Sequence, residues 1–463
     1  MNSKYKELGK NVFLFTISGF IPKILSFILV PLYTSYLSTY DYGISDLIVT
    51  TVQLLIPIFT LDIQDAVMRY SLDKNYDNKN VLSYAIHVIC KGAGILLVLI
   101  AIVSFFEIEA LNNEYLVFLF INYVIGSLYN TFSLFCRGIN KVKVLTIGSV
   151  INSAITLSSN ILLLAVFKMG LTGFLISSIL GTVVAVIYIV LKGKLYQYIS
   201  FKKVPESVGK EMKRFSYPLI FSVTAWWVNN ASDRYILTGL AGVAVSGIYA
   251  VAYKIPSILT MFQNIFTQAW SISAIKEFDK KDSDGFIGET YTLMNFGMIF
   301  SCSVLMILNI PIAKLLYANE FFYAWKFVPP LLLSVVFNAM ALFIGSIFTA
   351  VKDTKTLSYS TIIGATVNII FNFLLIPYFG AYGAAVATAL GYGVVLIMRH
   401  IILRKYIHMK INMKRDIMGY IALLLQIMIA FKGLNYVYFQ ILVLCIIIVL
   451  YIDMFKILKN KMF

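Results

Sequence analysis

The feature that most constrains this chain is a succession of apolar runs, most of them long enough to cross a bilayer as a helix. About 20 residues at about 1.5 Å per residue span a hydrocarbon core of about 30 Å. Such runs fall near 11–37, 43–69, 80–106, 115–136, 144–167, 170–191, 215–239, 243–275, 287–313, 327–350, 356–377, 382–398, 417–431 and 435–455. Of the 463 residues, 60% are hydrophobic and 13% are charged, whereas a water-facing domain carries about 25% charged residues. The sequence therefore predicts an all-α integral membrane protein of about 14 transmembrane helices. Pro22, Pro57 and Pro256 interrupt some runs, a break that membrane helices tolerate when neighbours satisfy the freed backbone groups.

A net charge of +16 suggests nucleic acid only until its distribution is followed. The basic residues form short clusters between apolar runs, not a continuous face, and the clusters alternate. Of the 38 Lys and Arg, 30 fall in every second connecting segment, beginning with Lys4, Lys6 and Lys10. Only Lys168, Lys314, Lys326 and Lys432 fall in the others. This is the positive-inside pattern. It predicts a multi-pass protein with both termini cytoplasmic, and no nucleic-acid partner. The first run is too long for a signal-peptide core and no small-residue cleavage pattern follows it, so it reads as a retained helix.

Chemistry of the usual catalytic kinds finds little support. Cys90, Cys136, Cys302 and Cys445 each stand alone in an apolar stretch, as small buried residues do, and His87, His400 and His408 are scattered. None has metal-ligand spacing, and no cofactor motif is present. The outer loops are short apart from an acidic one around Glu107, Glu109 and Glu114. That leaves no extracytoplasmic domain for a polysaccharide polymerase, and no Gly-rich nucleotide motif supports a glycosyltransferase. An enzyme is not expected.

Internal similarity flanks the longest polar stretch, Lys192 to Arg214. Tyr42-Gly43-Ile44 corresponds to Ser246-Gly247-Ile248, and Lys143-Val-Leu…Asn160-Ile-Leu-Leu-Leu to Lys355-Thr-Leu…Asn372-Phe-Leu-Leu-Ile. Both latter runs lead to a Gly-x-x-Gly turn, Gly170–Gly173 and Gly380–Gly383. Six helices is an even number, so both halves enter from one side as a parallel repeat with a substrate site between them. The predicted division is an N-terminal lobe at 1–205, a C-terminal lobe at 206–405, and two additional helices at 406–463.

Several of these motifs resemble a known family. Pro31-Leu-Tyr-Thr-Ser-Tyr-Leu-Ser with Asp41-Tyr42-Gly43, and Trp226-Trp227-Val-Asn-Asn-Ala-Ser-Asp233-Arg234-Tyr235, are similar to Wzx-type oligosaccharide flippases. So are Gly247-Ile-Tyr-Ala-Val-Ala-Tyr-Lys254-Ile-Pro256, Gln268-Ala-Trp270 and Gly380-Ala-Tyr-Gly-Ala-Ala. Those flippases belong to the multidrug/oligosaccharidyl-lipid/polysaccharide transporter superfamily. The resemblance implies two six-helix lobes around a central cavity. It also implies undecaprenyl-pyrophosphate-linked oligosaccharide as cargo, and the bacterial cytoplasmic membrane as location.

Ionisable groups at bilayer depth need a reason, because each costs about 2.5–3.5 kcal/mol on insertion scales. Lys23, Lys91 and Lys254 lie within helices with no acidic residue within a helical turn. Lys23 and Lys254 are expected to attract the pyrophosphate, which an ammonium can bind in many orientations; the related flippases likewise carry cavity-facing basic residues on helices 1 and 8. The competing reading is a lysine that snorkels or pairs with a carboxylate on another helix, and Lys91 fits it better. Asn229, Asn230, Gln263 and Gln268 are candidates for hydrogen bonds to sugar hydroxyls or between helices. Trp226, Trp227 and Trp270 are candidates for stacking on sugars, against the commoner role of interfacial anchor. Asp62, Asp65 and Arg69 are predicted to share one helix face, with Asp65 and Arg69 paired at i, i+4, as an inner gate or a proton or sodium site. Asp233 and Arg234 are expected to help close an outer gate.

The function these readings predict is alternating access without chemistry, for surface polysaccharide assembly. Partners would be lipid-linked oligosaccharide and membrane lipid, together with polymerase and export machinery and a coupling cation as further candidates. In the related drug extruders a carboxylate on helix 1 carries ion coupling; helix 1 has none here. A drug/cation antiporter and a flippase of the peptidoglycan lipid precursor are the alternatives on the same fold.

Overall fold

A computed structural model of the chain describes residues 23–105, 112–200, 204–276, 278–351 and 353–453. Every regular element among them is helical. In chain order the principal helices are α1 (Lys23–Tyr36), α2 (Thr39–Phe59), α3 (Ile63–Ser71), α4 (Asn78–Ser104), α5 (Asn113–Gly138), α6 (Val142–Asn160) and α7 (Gly170–Gly193). They continue with α8 (Glu206–Ala241), α9 (Val243–Ala252), α10 (Lys254–Lys276), α11 (Phe286–Leu316), α12 (Val328–Ala350), α13 (Thr354–Leu403), α14 (Met413–Ala430) and α15 (Val437–Leu450). The described parts of the predicted apolar runs are largely helical, with breaks inside the second run at Thr60–Asp62 and inside the eighth at Tyr253. Among the described residues, eight helices are long and apolar enough to cross a membrane, nine if the bent pair α9–α10 counts as one span. The start of the first run, Glu107 and Glu109, and both termini lie outside the described residues.

Polar residues set the ends of these helices. Ser38 opens α2 with a capping box, its hydroxyl accepting from the Asp41 N–H at 3.0 Å while Asp41 accepts from the Ser38 N–H. Asp77 and Asn412 cap α4 and α14 through one side-chain bond each. Along their length the spanning helices leave large apolar side chains exposed, as on α4 at Ile95, Val98 and Ile102. In water such a surface would aggregate; in hydrocarbon it is the expected one.

Contacts divide the chain between Ala231 and Ser232, so the boundary falls inside α8. Within the first unit, Ile63, Val67, Leu82, Phe132, Phe135, Leu145 and Ile189 form one buried core. Cys136 and Cys302 are buried as expected of small apolar residues, but Cys90 and Cys445 are exposed.

The internal repeat is visible in backbone detail. Gly170 and Gly380 both adopt the left-handed region, at φ 57° and 54°, where a side chain would be strained. At each the chain reverses into a second helix that packs on the first. A Cβ on Gly181 of α7 would lie 2.7 Å from the Asn152 carbonyl oxygen of α6 and 2.0 Å from the Thr156 hydroxyl. In the second unit, a Cβ on Gly391 would lie 3.0 Å from the Gly364 carbonyl oxygen and 2.9 Å from the Asn368 Cβ. Asn152 and Thr156 occupy the same places before Asn160 that Gly364 and Asn368 occupy before Asn372. The two hairpins therefore use the same close approach at the same positions. More residues separate Asn160 from Gly170 than Asn372 from Gly380, and the π-helix Ile161–Val166 absorbs part of the surplus. Gly380 is also the kink that splits α13 where the sequence placed a boundary between two spans.

Candidate transport site

The predicted second helix is not continuous. Leu61 and Asp62 both have left-handed backbones, at φ 54° and 49°, so the chain stops at Phe59 and restarts as α3 at Ile63. The turn is seated on α4, where a Cβ on Gly92 would stand 2.2 Å from the Phe59 carbonyl oxygen. Asp62 therefore leaves the helix face it was expected to share with Asp65 and Arg69. Asp62 is buried at the break and accepts from the Gln64 amide at 2.9 Å, while its other oxygen has no hydrogen-bond partner. Asp65 and Arg69 lie exposed on α3. Arg69 pairs with Asp73 at 3.9 Å, one turn further on, instead of with Asp65.

In the second unit, Asp233 on α8 is buried at 4% exposure. Its Oδ2 accepts from the Tyr249 hydroxyl at 2.7 Å and the Tyr253 hydroxyl at 3.0 Å, and Oδ1 accepts from the Arg234 N–H at 2.9 Å. The two hydroxyls are themselves 3.1 Å apart, and the Arg234 guanidinium lies over the Tyr253 ring at 5.4 Å. A carboxylate this deep persists only when donors replace its hydration. Asp233 thus ties α8 to the Tyr249 and Tyr253 hydroxyls as a buried lock. Lys254 opens α10 one residue beyond this cluster and is half-buried. Gln263, also on α10, is buried with an unpartnered carbonyl oxygen. Nine residues at about 100° each put it on the opposite side of α10 from Lys254, so the two do not share a wall. Lys23 is exposed on α1 and Asn230 is half-buried on α8. The side chains of Asn229 and Trp226 lie outside the described residues.

Two of the tryptophans proposed for sugar stacking are packed anchors. Trp227 donates to the Thr50 carbonyl oxygen at 2.8 Å, and Trp270 donates to that of Phe343 at 3.0 Å. The Trp270 ring is stacked on Phe343 at 4.1 Å, which leaves that face closed to a sugar.

The second unit also holds an apolar groove of about 930 Å3. Its length is walled by Phe337 of α12, Leu390 and Ile397 of α13, and Ile417, Leu424 and Met428 of α14. His400, Arg404 and Asp416 stand along one end of it. Sequence reasoning missed this end, because Arg404 counts in sequence as one more cytoplasmic cation and α14 lies outside the repeat. Asp416 is buried; its Oδ1 accepts from Arg415 Nε at 3.3 Å and from the Tyr451 hydroxyl at 2.9 Å. Asn295 of α11 donates to Tyr451 and accepts from Tyr420, so a polar network fastens the last two helices to α11. Arg399, equally buried, donates to Ser360, Ala341 and Thr361 at 2.7–3.0 Å.

An all-helical, repeat-built membrane protein with buried polar locks and a lipid-sized apolar groove is of the transporter class. The family follows from the sequence comparison: the model of polysaccharide biosynthesis proteins matches residues 8–272, more than half of the chain, and the chain belongs to that family. A second model, for the MatE family, matches residues 218–374. An uncharacterized membrane protein of Methanocaldococcus jannaschii is 30% identical over 244 residues, which is 48% of this chain and 46% of that protein. Among solved structures, lipid II flippase MurJ in an inward closed conformation superposes with a TM-score of 0.70 at 15% identity, covering 97% of this chain and 99% of its own. An inward-facing multidrug resistance MATE family transporter reaches 0.66 at 12% identity, over 90% and 99%. The fold is that of the flippase and transporter superfamily expected from the motifs.

Proposed function

We propose that this protein is a flippase that moves undecaprenyl-pyrophosphate-linked oligosaccharide across the bacterial cytoplasmic membrane, by alternating access and without covalent chemistry. The observation that carries the reading is the groove of the second unit. It offers apolar walls along the length of α14, from Met413 to Met428, and donors at His400 and Arg404 beside Asp416, whose carboxylate is paired with Arg415. Met413 to Met428 is about 22 Å of helix, which suits a long hydrocarbon tail held beside a charged head group. Membership of the polysaccharide biosynthesis family supports a saccharide cargo. Apart from the groove, Lys23 and Lys254 are assigned positive charge for the pyrophosphate, with Asn229 and Asn230 as donors and acceptors for sugars; Gln263, on the far side of α10 from Lys254, is left to bonds between helices. Asp62, Asp65 and Arg69 act near the inner end. An inside-negative potential favours outward movement of an anion by about 2.3 kcal/mol per charge per 100 mV.

A second reading, transport of the peptidoglycan lipid precursor, draws on the likeness to the lipid II flippase across nearly the whole chain. The drug/cation antiporter draws on the MatE match. Lys23→Ala/Lys254→Ala separates these from the first reading. At equal protein level the variant is expected to lose most surface polysaccharide while drug resistance and peptidoglycan synthesis are unchanged. Full polysaccharide output from the double variant removes both lysines from the mechanism.

A further inference from the structure

A second amphiphilic cavity lies in the first unit, with α4 on one side and the start of α8 on the other. It measures about 720 Å3. His87 and Lys91, four residues apart on α4, share one face and line it; Lys210 and Lys213 line it from α8. The carboxylate in its wall, Glu206, is paired with Lys210 at 3.0 Å, and neighbouring Glu211 accepts the Tyr76 hydroxyl. Among the described residues no ion pair or hydrogen bond engages His87, Lys91 or Lys213. The floor is rigid: a Cβ on Gly209 would meet the Tyr84 ring at 2.6 Å, and the Ser200 N–H donates to the Ser83 hydroxyl at 2.8 Å.

Beyond Lys91 the same face of α4 continues with Ile95, Val98 and Ile102, all about half exposed. A cationic pocket thus runs into an apolar track along a single helix face. That is the shape of a phospholipid: a phosphate at one end and an acyl chain leading away toward the bilayer centre. Sugars or a free anion would have no use for the track, and a purely apolar ligand would have none for the lysines.

We infer that this groove holds an anionic phospholipid of the surrounding leaflet, with its phosphate between Lys91 and Lys213 and an acyl chain along Ile95, Val98 and Ile102. The bound lipid would fill the space where α8 leaves α4. The assignment does not depend on what the protein transports.

The test is titration of the purified full chain with phosphatidylglycerol in detergent, read by native mass spectrometry, alongside phosphatidylcholine and undecaprenyl phosphate. At about 1 kcal/mol for each lysine near an anionic head group, the two are together worth about 30-fold in affinity. Lys91→Gln/Lys213→Gln should weaken phosphatidylglycerol binding by about that factor. Lys192→Gln/Lys405→Gln, with the same change in net charge, should not. Lys91→Arg/Lys213→Arg should bind as the wild type does. If the glutamine double variant misfolds, Lys91→Gln alone should lose about 5-fold. Equal phosphatidylglycerol binding by the wild type and the groove variant overturns the assignment. Groove-dependent binding of undecaprenyl phosphate but not of phosphatidylglycerol also overturns it, and makes the groove a cargo station.

Discussion

Replacing Asp233 with alanine tests whether this carboxylate is a lock or a moving part. In the folded protein three oxygens form a closed triangle: Asp233 Oδ2 with the hydroxyls of Tyr249 and Tyr253, at 2.7, 3.0 and 3.1 Å. Tyr249 is fully buried. With the carboxylate gone, one tyrosine can still donate to the other, so a single O–H loses its acceptor. A buried unsatisfied hydroxyl costs about 1–3 kcal/mol, and the volume left by the carboxylate adds about 1 kcal/mol. Asp233→Ala is therefore expected to destabilise by about 2–4 kcal/mol. Asp233→Ala/Tyr249→Phe/Tyr253→Phe removes donors along with the acceptor and should recover most of that loss, leaving chiefly the cavity cost. Unfolding by SDS titration in mixed micelles, followed by tryptophan fluorescence, reads the difference. Polysaccharide output at equal protein level should follow stability through the series. A triple variant no more stable than Asp233→Ala refutes the lock. A triple variant that is stable but silent in transport shows that the charge itself works in the cycle.

Three further outcomes follow from local geometry. Gly181→Ala should be severely destabilising, because its Cβ would meet the Asn152 carbonyl oxygen and the Thr156 hydroxyl; Gly391→Ala should be milder, and Gly239→Ala, with nothing within 4 Å, near neutral or stabilising by up to about 1 kcal/mol. Thermal unfolding in detergent gives the rank order. Asp282→Ala should loosen the loop before α11, since its carboxylate accepts the N–H groups of Ile287, Gly288 and Lys410 at 3.0–3.3 Å; faster proteolysis within 278–285 or 404–412 would register it. The Ser283 hydroxyl and the N–H groups of Ser283 and Lys281 lower the Asp279 pKa from 3.8 to about 2. A lowered pKa stabilises the loop fully above the ordinary value and loses that contribution as pH falls from about 4 toward 2. Exchange of the Lys281 and Ser283 amides should rise across that window, and Asp279→Asn should abolish the pH dependence.

The helices were legible because hydropathy in a membrane protein is dictated by the solvent, and the turn at Gly380 was legible because glycine marks a left-handed backbone. Leu61 and Asp62 adopt the same backbone without such a mark. What permits them is Gly92 on α4, a tertiary fact that no local pattern carries, and so the sequence places Asp62 on the face of Asp65 and Arg69 although only those two share it on α3. The partners of Asp233 are not legible in sequence, since its two tyrosines lie across a turn and outside any helical period. Arg404 and Asp416 were hidden for the opposite reason: at helix ends they read as ordinary interfacial charges, and only packing shows that they border an apolar groove. Trp227 and Trp270 illustrate the same limit, because the residue type suits a sugar platform and a core anchor equally well until the ring's neighbours are known.

The most direct measurement is made in cells that lack the gene. Lipid-linked saccharides are extracted after labelling and assigned to a leaflet by their access to an impermeant glycosidase. Accumulation of an undecaprenyl-pyrophosphate-linked repeat unit on the cytoplasmic leaflet, reversed by the wild-type gene but not by Lys23→Ala/Lys254→Ala, is the predicted result. Repeat units found on the outer leaflet at their normal level would contradict the account.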